Sequence, residues 1–259
     1  MADWDPGLYR RFEEERTRPA AELLARVALN GIQRAYDLGC GPGNSAELIV
    51  RRFGEGRVVG LDTSIAMLDS ARRRLPGTEF VEADASTWRP ATAPDLIYSN
   101  AALQWVPDHR TLVPRLFELL ARGGVLAVQM PDNLDEPSHR AMREVAARGR
   151  WSDTIGKAGA ARSAIQLAPA EYYDLLAPMA AEVDVWRATY FHAMDSAAAI
   201  VAWVRATGLK PFVDPLPPDQ QAEYLAAYEA EIAAAYPVRA DARRLLAFPR
   251  LFVVARKAA

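Results

Sequence analysis

Tyr36-Asp37-Leu38-Gly39-Cys40-Gly41-Pro42-Gly43-Asn44-Ser45 places an acid at the end of an apolar run and then glycine at every second position. Glycine has no Cβ, so the backbone can turn through positive φ and lie close against a ligand. Three glycines in five residues, with a strand pattern before them and a helix start after them, describe a loop for a nucleotide-like ligand. Asn44-Ser45 can cap the following helix, which runs to about Phe53.

The same alternation repeats on both sides of this loop. Arg57 to Asp62 is a second strand ending on an acid, followed by Thr63-Ser64 and an amphipathic helix from Ile65 to Leu75 that Pro76-Gly77 stops. Glu79 to Ala83 is a third strand, ending on Asp84. Asp95 to Asn100 is a fourth, leading into a helix from Pro107 to Leu120, and Gly124 to Met130 is a fifth. Val183 to Tyr190 alternates as a sixth strand and Phe248 to Arg256 closes the chain as a seventh. Strands alternating with helices at this spacing predict an α/β, Rossmann-like architecture: a mostly parallel seven-stranded sheet, right-handed crossovers and helices on both faces.

Upstream of the loop, residues 1–18 mix Trp4, Tyr9 and Phe12 with Arg10, Arg11, Arg16 and Arg18 and read as a cover segment. Pro19 then opens a helix from Ala20 to Val27. Past Asp132 the strand rhythm breaks. Residues 133–181, rich in alanine, and residues 196–240, with helices around Pro215-Leu216-Pro217-Pro218, read as helical insertions forming a substrate lid on a single domain spanning 1–259.

Two ligands satisfy the glycines. Gly41-Pro42-Gly43-Asn44-Ser45-Ala46 fits G-x-G-x-x-G/A, and Asp62 lies near the ~20-residue offset of a ribose-binding acid, so the pattern allows NAD and an NAD-dependent oxidoreductase. Asp37 weighs against a pyrophosphate at this loop, and Pro42 removes one N–H donor from it. S-Adenosylmethionine carries a sulfonium, an ammonium and a ribose but no phosphate, so an acid beside the glycines complements it. In that arrangement Asp37, Gly39, Gly41 and Gly43 form the loop. Asp62, with Thr63 and Met67 after it, takes the ribose side, and Asp84 with Ala85 takes the adenine edge.

Composition narrows the classes further. The chain has 259 residues, 51% hydrophobic and 25% charged, enough for one large core. A formal net charge of -2 provides no cationic field for nucleic acid or anionic membrane, so an anionic substrate must be met by locally placed arginines. Cys40 is the single cysteine, which excludes a disulfide framework and a cysteine metal cluster and fits a reducing compartment. No basic and apolar leader begins the sequence, and no run approaches the ~20 apolar residues of a membrane span; the reading is cytoplasmic.

Asp37-Leu38-Gly39-Cys40-Gly41-Pro42-Gly43, Val59-Gly60-Leu61-Asp62, Glu82-Ala83-Asp84 and Leu120-Ala121-Arg122-Gly123-Gly124 resemble the successive motifs of the class I S-adenosylmethionine-dependent methyltransferases. Other stretches resemble a narrower family, the trans-aconitate methyltransferases. These are Asp3-Trp4-Asp5-Pro6, Glu15-Arg16-Thr17-Arg18-Pro19, Asn100-Ala101-Ala102-Leu103-Gln104-Trp105, Val128-Gln129-Met130-Pro131-Asp132-Asn133, Ala206-Thr207-Gly208-Leu209 and Leu246-Ala247-Phe248-Pro249-Arg250-Leu251-Phe252. The first set is specific to the cofactor; the second lies outside the cofactor loops and runs from end to end. Residues 146–168 do not match the family pattern. The resemblance implies methyl transfer to one carboxylate of trans-aconitate, giving a monomethyl ester; another small-molecule acid is the alternative acceptor.

That chemistry sets its own requirements. A carboxylate with a pKa near ~4 is already ionised at neutral pH, so no general base is needed and none of His109, His139 and His192 has to serve as one. In-line positioning in a water-excluded pocket is what remains. Arginine grips a carboxylate better than lysine because its planar fork makes two parallel hydrogen bonds. Candidates are Arg16, Arg18, Arg187 and Arg205, with Tyr190, His192 and Trp203 positioning the acid, while Asn100, Gln104 and Trp105 face the donor's amino acid end. A nucleic-acid methyltransferase acting on adenine would place Pro-Pro and an aromatic after Asn100, which Ala101-Ala102-Leu103 does not supply. No His, Cys and carboxylate set has metal-ligand spacing.

Overall fold

The computed structural model describes residues 13–155, 166–205 and 207–259, with side chains from Thr17 onward in the first stretch. The expected cover over residues 1–12, the Arg16 side chain and part of the 133–181 insertion lie outside the described residues. The chain divides into two compact units. The first comprises Met1–Pro131, Ile165–Ala188 and Arg250–Ala259, and the second Asp132–Ala164 and Thr189–Pro249.

The strands are β1 (Ala35–Leu38), β2 (Val58–Asp62), β3 (Glu79–Glu82), β4 (Leu96–Asn100), β5 (Val125–Pro131), β6 (Glu182–Met194) and β7 (Arg244–Arg256). The helices are α1 (Glu13–Ala25), α2 (Asn44–Phe53), α3 (Ile65–Arg74), α4 (His109–Glu118), α5 (Pro137–Ala146), α6 (Ser152–Ile155), α7 (Pro169–Leu176), α8 (Ala197–Arg205), α9 (Lys210–Val213) and α10 (Pro218–Ala235). They surround a seven-stranded sheet of order β3-β2-β1-β4-β5-β7-β6. β3, β2, β1, β4 and β5 run parallel, and β7 is antiparallel to β5. The strand order reverses beside β1, between β2 and β4, and in such sheets the crevice outside the carboxyl ends of these strands takes the ligand.

β1 and β5 are buried along their whole length, as central parallel strands covered on both faces must be. One face packs Leu38, Ile97, Leu126 and Val128 against Leu112 and Leu116 of α4 and Tyr172 and Leu176 of α7. On the other, Cys40 and Phe80 meet Ala46 of α2 and Leu68 and Ala71 of α3. The buried Tyr98 hydroxyl donates to the Ala20 carbonyl at 2.6 Å, fixing α1 to the face of β4 that carries Tyr98.

Two expected helix starts are corrected. α1 already runs through Glu13–Ala25 with Pro19 inside it, so the proline does not open the helix. The proline costs one internal hydrogen bond. Arg52 braces the other end of α1 by donating to the carbonyls of Leu24, Val27 and Leu29. α2 is not capped by Asn44 or Ser45: Gly43 is its N-cap, left-handed at φ 93, and Ser45 turns its hydroxyl to Asp37 instead. By contrast α3 has the side-chain cap its sequence suggests, Ser64 Oγ accepting from the Met67 N–H at 3.3 Å. β6 and β7 extend beyond the expected Tyr190 and Phe248 boundaries, to Met194 and back to Arg244.

Within the second unit, α5 and α10 are fastened by tyrosine hydroxyls. Tyr224 donates to the Met142 carbonyl at 2.8 Å and Tyr228 to the Ser138 carbonyl at 3.1 Å. Buried Tyr hydroxyls need such partners, so these bonds fix the register of the two helices. No helix among the described residues is long and apolar enough to cross a membrane.

Candidate functional site

The glycine loop is anchored before it can receive anything. The N–H groups of Gly39 and Cys40 donate to the Leu61 carbonyl at 2.7 and 2.9 Å, fastening the loop to β2. Gly39 has φ 68, and a Cβ there would lie 2.2 Å from the Ala102 Cβ, so only glycine lets the segment after β4 come against the loop. Gly41, at φ 54, faces open space.

Asp62 ends β2 beside this opening. One carboxylate oxygen accepts from the Gly41 N–H at 2.9 Å and the other from the Ser64 N–H at 2.9 Å. Asp37 is placed differently from Asp62. It is fully buried beneath the glycines and accepts the Ser45 hydroxyl at 2.6 Å. Burial pushes its pKa up to about 7; the Ser45 hydrogen bond pulls against that and the Asp62 charge adds to it. Cys40 is buried too, and burial with the nearby Asp37 and Asp62 raises its thiol pKa, keeping it a neutral filler.

Around the rim, Thr63 is exposed and Met67 is buried in the first turn of α3. Asp84 is exposed past β3, where its side chain accepts from the Ser86 N–H at 2.8 Å and its carbonyl from the Trp88 N–H at 2.8 Å. The Arg115 guanidinium donates to the Ala85 carbonyl and, at 2.9 Å, to the Trp88 carbonyl, while Trp88 lies 4.6 Å from the Tyr36 ring. Arg115 therefore fixes the Asp84–Ala85 turn. Its sequence gave no signal, because the partners are backbone carbonyls about thirty residues earlier.

On the other side, Ala101 takes φ 54 directly after β4. Gln104 is buried at 4% exposure and donates to the Ala101 carbonyl at 2.7 Å. Asn100 Oδ1 and Gln104 Oε1 are buried acceptors with no hydrogen-bond partner among the described residues, and Trp105 is half-buried next to them in sequence. Such acceptors are costly unless something donates to them, and an ammonium group would. Gly41 with open space before it, Asp62 at the strand end and these two orphaned oxygens form a set of acceptors that fits the ribose hydroxyls and the ammonium of S-adenosylmethionine.

The residues expected to meet the substrate divide between the units. In the first, Arg18 is exposed on α1, paired with Glu22 at 2.9 Å, and borders a groove of about 730 Å³ whose wall includes Asn44 and Arg74. Arg187 is exposed on β6. In the second, Tyr190 is buried and His192 rests 4.7 Å from Trp203, which is 2% exposed and meets Phe248 edge-on at 5.8 Å. His192 and Trp203 are thus brought together, as parts of an aromatic cluster. Arg205 is held by Asp214 at 2.8 Å. Sequence reasoning passed over Gln129 and Arg250, both buried on neighbouring strands of the first unit. Each lay inside a family-like stretch, but only strand pairing shows that they meet.

Comparison with known proteins is consistent along the whole chain. Residues 35–124 match the model of a methyltransferase domain family. The chain is 68% identical over 259 residues to a trans-aconitate 2-methyltransferase of Methylobacterium radiotolerans, covering all of both chains. It is 65% identical to the one of Paracidovorax citrulli, again over all of both, and 59% identical to the one of Yersinia pestis, over 98% of each. Among solved structures, the YcgJ protein of Bacillus subtilis superposes with a TM-score of 0.60 at 13% identity, covering 93% of this chain and 99% of that one. A phosphoethanolamine N-methyltransferase of Haemonchus contortus does so at 0.56 and 16%, covering 93% of this chain and 53% of that one. At those identities the structural likeness carries the fold alone.

Proposed function

Since this chain belongs to the trans-aconitate 2-methyltransferases, within the class I S-adenosylmethionine-dependent methyltransferases, we propose that its glycine loop and strand-end acids hold S-adenosylmethionine and that it esterifies one carboxylate of trans-aconitate. Asp37 is the observation that carries the choice of donor. A carboxyl group buried beneath the glycines opposes a pyrophosphate and favours a cation above it, which weighs against the NAD reading.

When bound, S-adenosylmethionine supplies an electrophilic methyl group on a sulfonium. Asp62 is assigned to the ribose hydroxyls, with Thr63 and Met67 beside it, and Asp84 with Ala85 to the adenine edge on the turn that Arg115 holds. Asn100 and Gln104 offer their orphaned oxygens to the ammonium, and Trp105 excludes water there. The acceptor carboxylate is ionised at neutral pH, so no side chain has to move a proton. The protein's contribution is positioning and exclusion of water. Arg16, Arg18, Arg187 and Arg205 are assigned to the acid's carboxylates, Arg18 and Arg205 by exchanging Glu22 and Asp214 for it. Tyr190, His192 and Trp203 shape the acid's surroundings, and the segments 133–181 and 196–240 serve as the substrate lid of a single methyltransferase domain. The net charge of -2 and the lone cysteine support a cytoplasmic enzyme acting on a small acid and not on nucleic acid.

Incubation with labelled S-adenosylmethionine and a panel of trans-aconitate, cis-aconitate, citrate and isocitrate tests this. Base-labile label on trans-aconitate is the expected result. Transfer to another acid of the panel and not to trans-aconitate would replace the substrate, and transfer to none of them would refute the ester reading.

A further inference from the structure

The connection from β4 to α4 carries two of the three non-glycine residues with positive φ among the described residues, Ala101 at 54 and Asp108 at 55. Such a conformation is unfavourable for an L residue and persists only where the surroundings impose it. Between the two lies a short 3-10 turn, Leu103–Trp105, which carries Gln104. Gln104 donates through Nε2 to the Ala101 carbonyl at 2.7 Å. That bond fixes the amide's orientation and leaves Oε1, the buried acceptor with no partner among the described residues, on its other arm.

His109, at the start of α4, braces this turn from the core. The Leu103 carbonyl can only accept, so Nε2 of the ring carries a proton and donates to it at 2.8 Å. The ring is buried, and burial lowers its pKa, so it is neutral and Nδ1 has to accept. The donor to it is the Tyr172 hydroxyl of α7 at 2.5 Å, whose oxygen accepts in turn from the Leu167 N–H at 3.3 Å. Donation along this chain therefore has one direction, from Leu167 through Tyr172 and His109 to Leu103. The Leu103 carbonyl uses its second lone pair on the Val106 N–H at 2.9 Å, which closes the turn. With both ring nitrogens engaged in fixed directions, His109 offers nothing to a substrate and orients backbone instead.

We infer that His109 is a positioning residue for the methyl donor: with Tyr172 behind it, it holds the Leu103–Trp105 turn where Gln104 Oε1 receives the donor's ammonium. This rests on the S-adenosylmethionine reading above and deepens it, by assigning what keeps that acceptor in place. The segment lies directly against the glycine loop, since a Cβ on Gly39 would meet the Ala102 Cβ at 2.2 Å. A slackened turn moves Gln104 off the ammonium and leaves the ribose and adenine contacts, which sit at the ends of β2 and β3, where they are. A general packing role would not separate the two ends of the ligand in this way.

Calorimetric titration with S-adenosylhomocysteine and with 5′-methylthioadenosine, which shares the adenosine and lacks the amino acid end, tests the inference on wild type, His109→Leu, His109→Gln and Tyr172→Phe. His109→Leu is expected to lose about 10-fold or more in S-adenosylhomocysteine affinity with 5′-methylthioadenosine affinity within about twofold. The glutamine amide reaches as far as Nε2 and can donate to the same carbonyl, so His109→Gln should stay within about threefold of wild type for both ligands. Tyr172→Phe leaves the Leu103 bond but unties the ring, and should fall between. Equal losses of both ligands, or an unchanged ratio of the two affinities in His109→Leu and Tyr172→Phe, overturn the positioning role and leave the methyltransferase reading standing. If His109→Leu does not fold, the ratio in Tyr172→Phe decides alone. A wild type that binds both ligands equally overturns the ammonium assignment of Gln104 and this inference with it, and one that binds neither overturns the methyl-donor reading itself.

Discussion

Replacing Asp37 by Asn should stabilise this protein and weaken its hold on the methyl donor at the same time. The side chain is fully buried, and its pKa is raised from 3.8 to about 7, chiefly by desolvation. Ionising it in the folded protein therefore costs about 4 kcal/mol more than in the unfolded chain. For an acid whose folded pKa is raised, stability is fully present below the unfolded value and is lost as pH rises through the folded one, so Asp37 erodes stability between pH 3.8 and about 7. Asparagine keeps an oxygen for the Ser45 hydroxyl but cannot ionise. Urea unfolding at pH 8 should show Asp37→Asn more stable than wild type, by up to about 4 kcal/mol, with the difference shrinking toward pH 5. Binding should move in the opposite direction. A bound cation favours the carboxylate, so the donor must draw a proton off Asp37 below pH 7, and wild-type affinity should rise about tenfold between pH 6 and pH 8. Calorimetry in two buffers of different ionisation enthalpy would count the proton released. The ligand's own amine titrates equally with both proteins, so the difference between them isolates Asp37. Equal S-adenosylmethionine affinity in the two proteins at pH 8, with parallel pH profiles, would refute the reasoning that this buried charge selects the donor.

Three further outcomes follow from single contacts. Asp62→Ala removes acceptors for the Gly41 and Ser64 N–H groups as well as the ribose partner, and should weaken S-adenosylhomocysteine binding at least ~10-fold by calorimetry; an unchanged Kd would mean the ribose assignment is wrong. Gly39→Ala forces an L side chain to φ 68 and against the Ala102 Cβ, and a urea melt should show a loss of ~2 kcal/mol or more. His109 is buried between the Tyr172 hydroxyl at 2.5 Å and the Leu103 carbonyl at 2.8 Å, and burial lowers its pKa below 6.5. The unfolded chain then takes up the proton first, so stability should fall as pH drops below 6.5, and a His109→Gln variant should lack that part of the slope in melting curves.

The sequence alone determined the glycine loop and the parallel strands around it, because their signals are local. A strand period of two, a helix period near four and glycines that tolerate positive φ are all written within a few residues of each other, which is why a strand precedes the glycine loop and α2 follows it to Phe53, although its cap is Gly43 and not Asn44 or Ser45. Pro19 reads as a helix start because a proline is well tolerated there, yet α1 already contains it, and a window around the proline does not show that. What only the tertiary structure decided is the electrostatic state of each charged group. Asp37 and Asp62 look alike as acids at strand ends, yet one lies buried under the loop and the other is tied to backbone N–H groups at its rim. Arg18 and Arg205 looked like free substrate cations and carry Glu22 and Asp214. Gln129 and Arg250, 121 residues apart, become partners only because β7 turns back antiparallel beside β5. Burial and the identity of a charge's neighbour are properties of the packed sheet, and no window of sequence contains both partners.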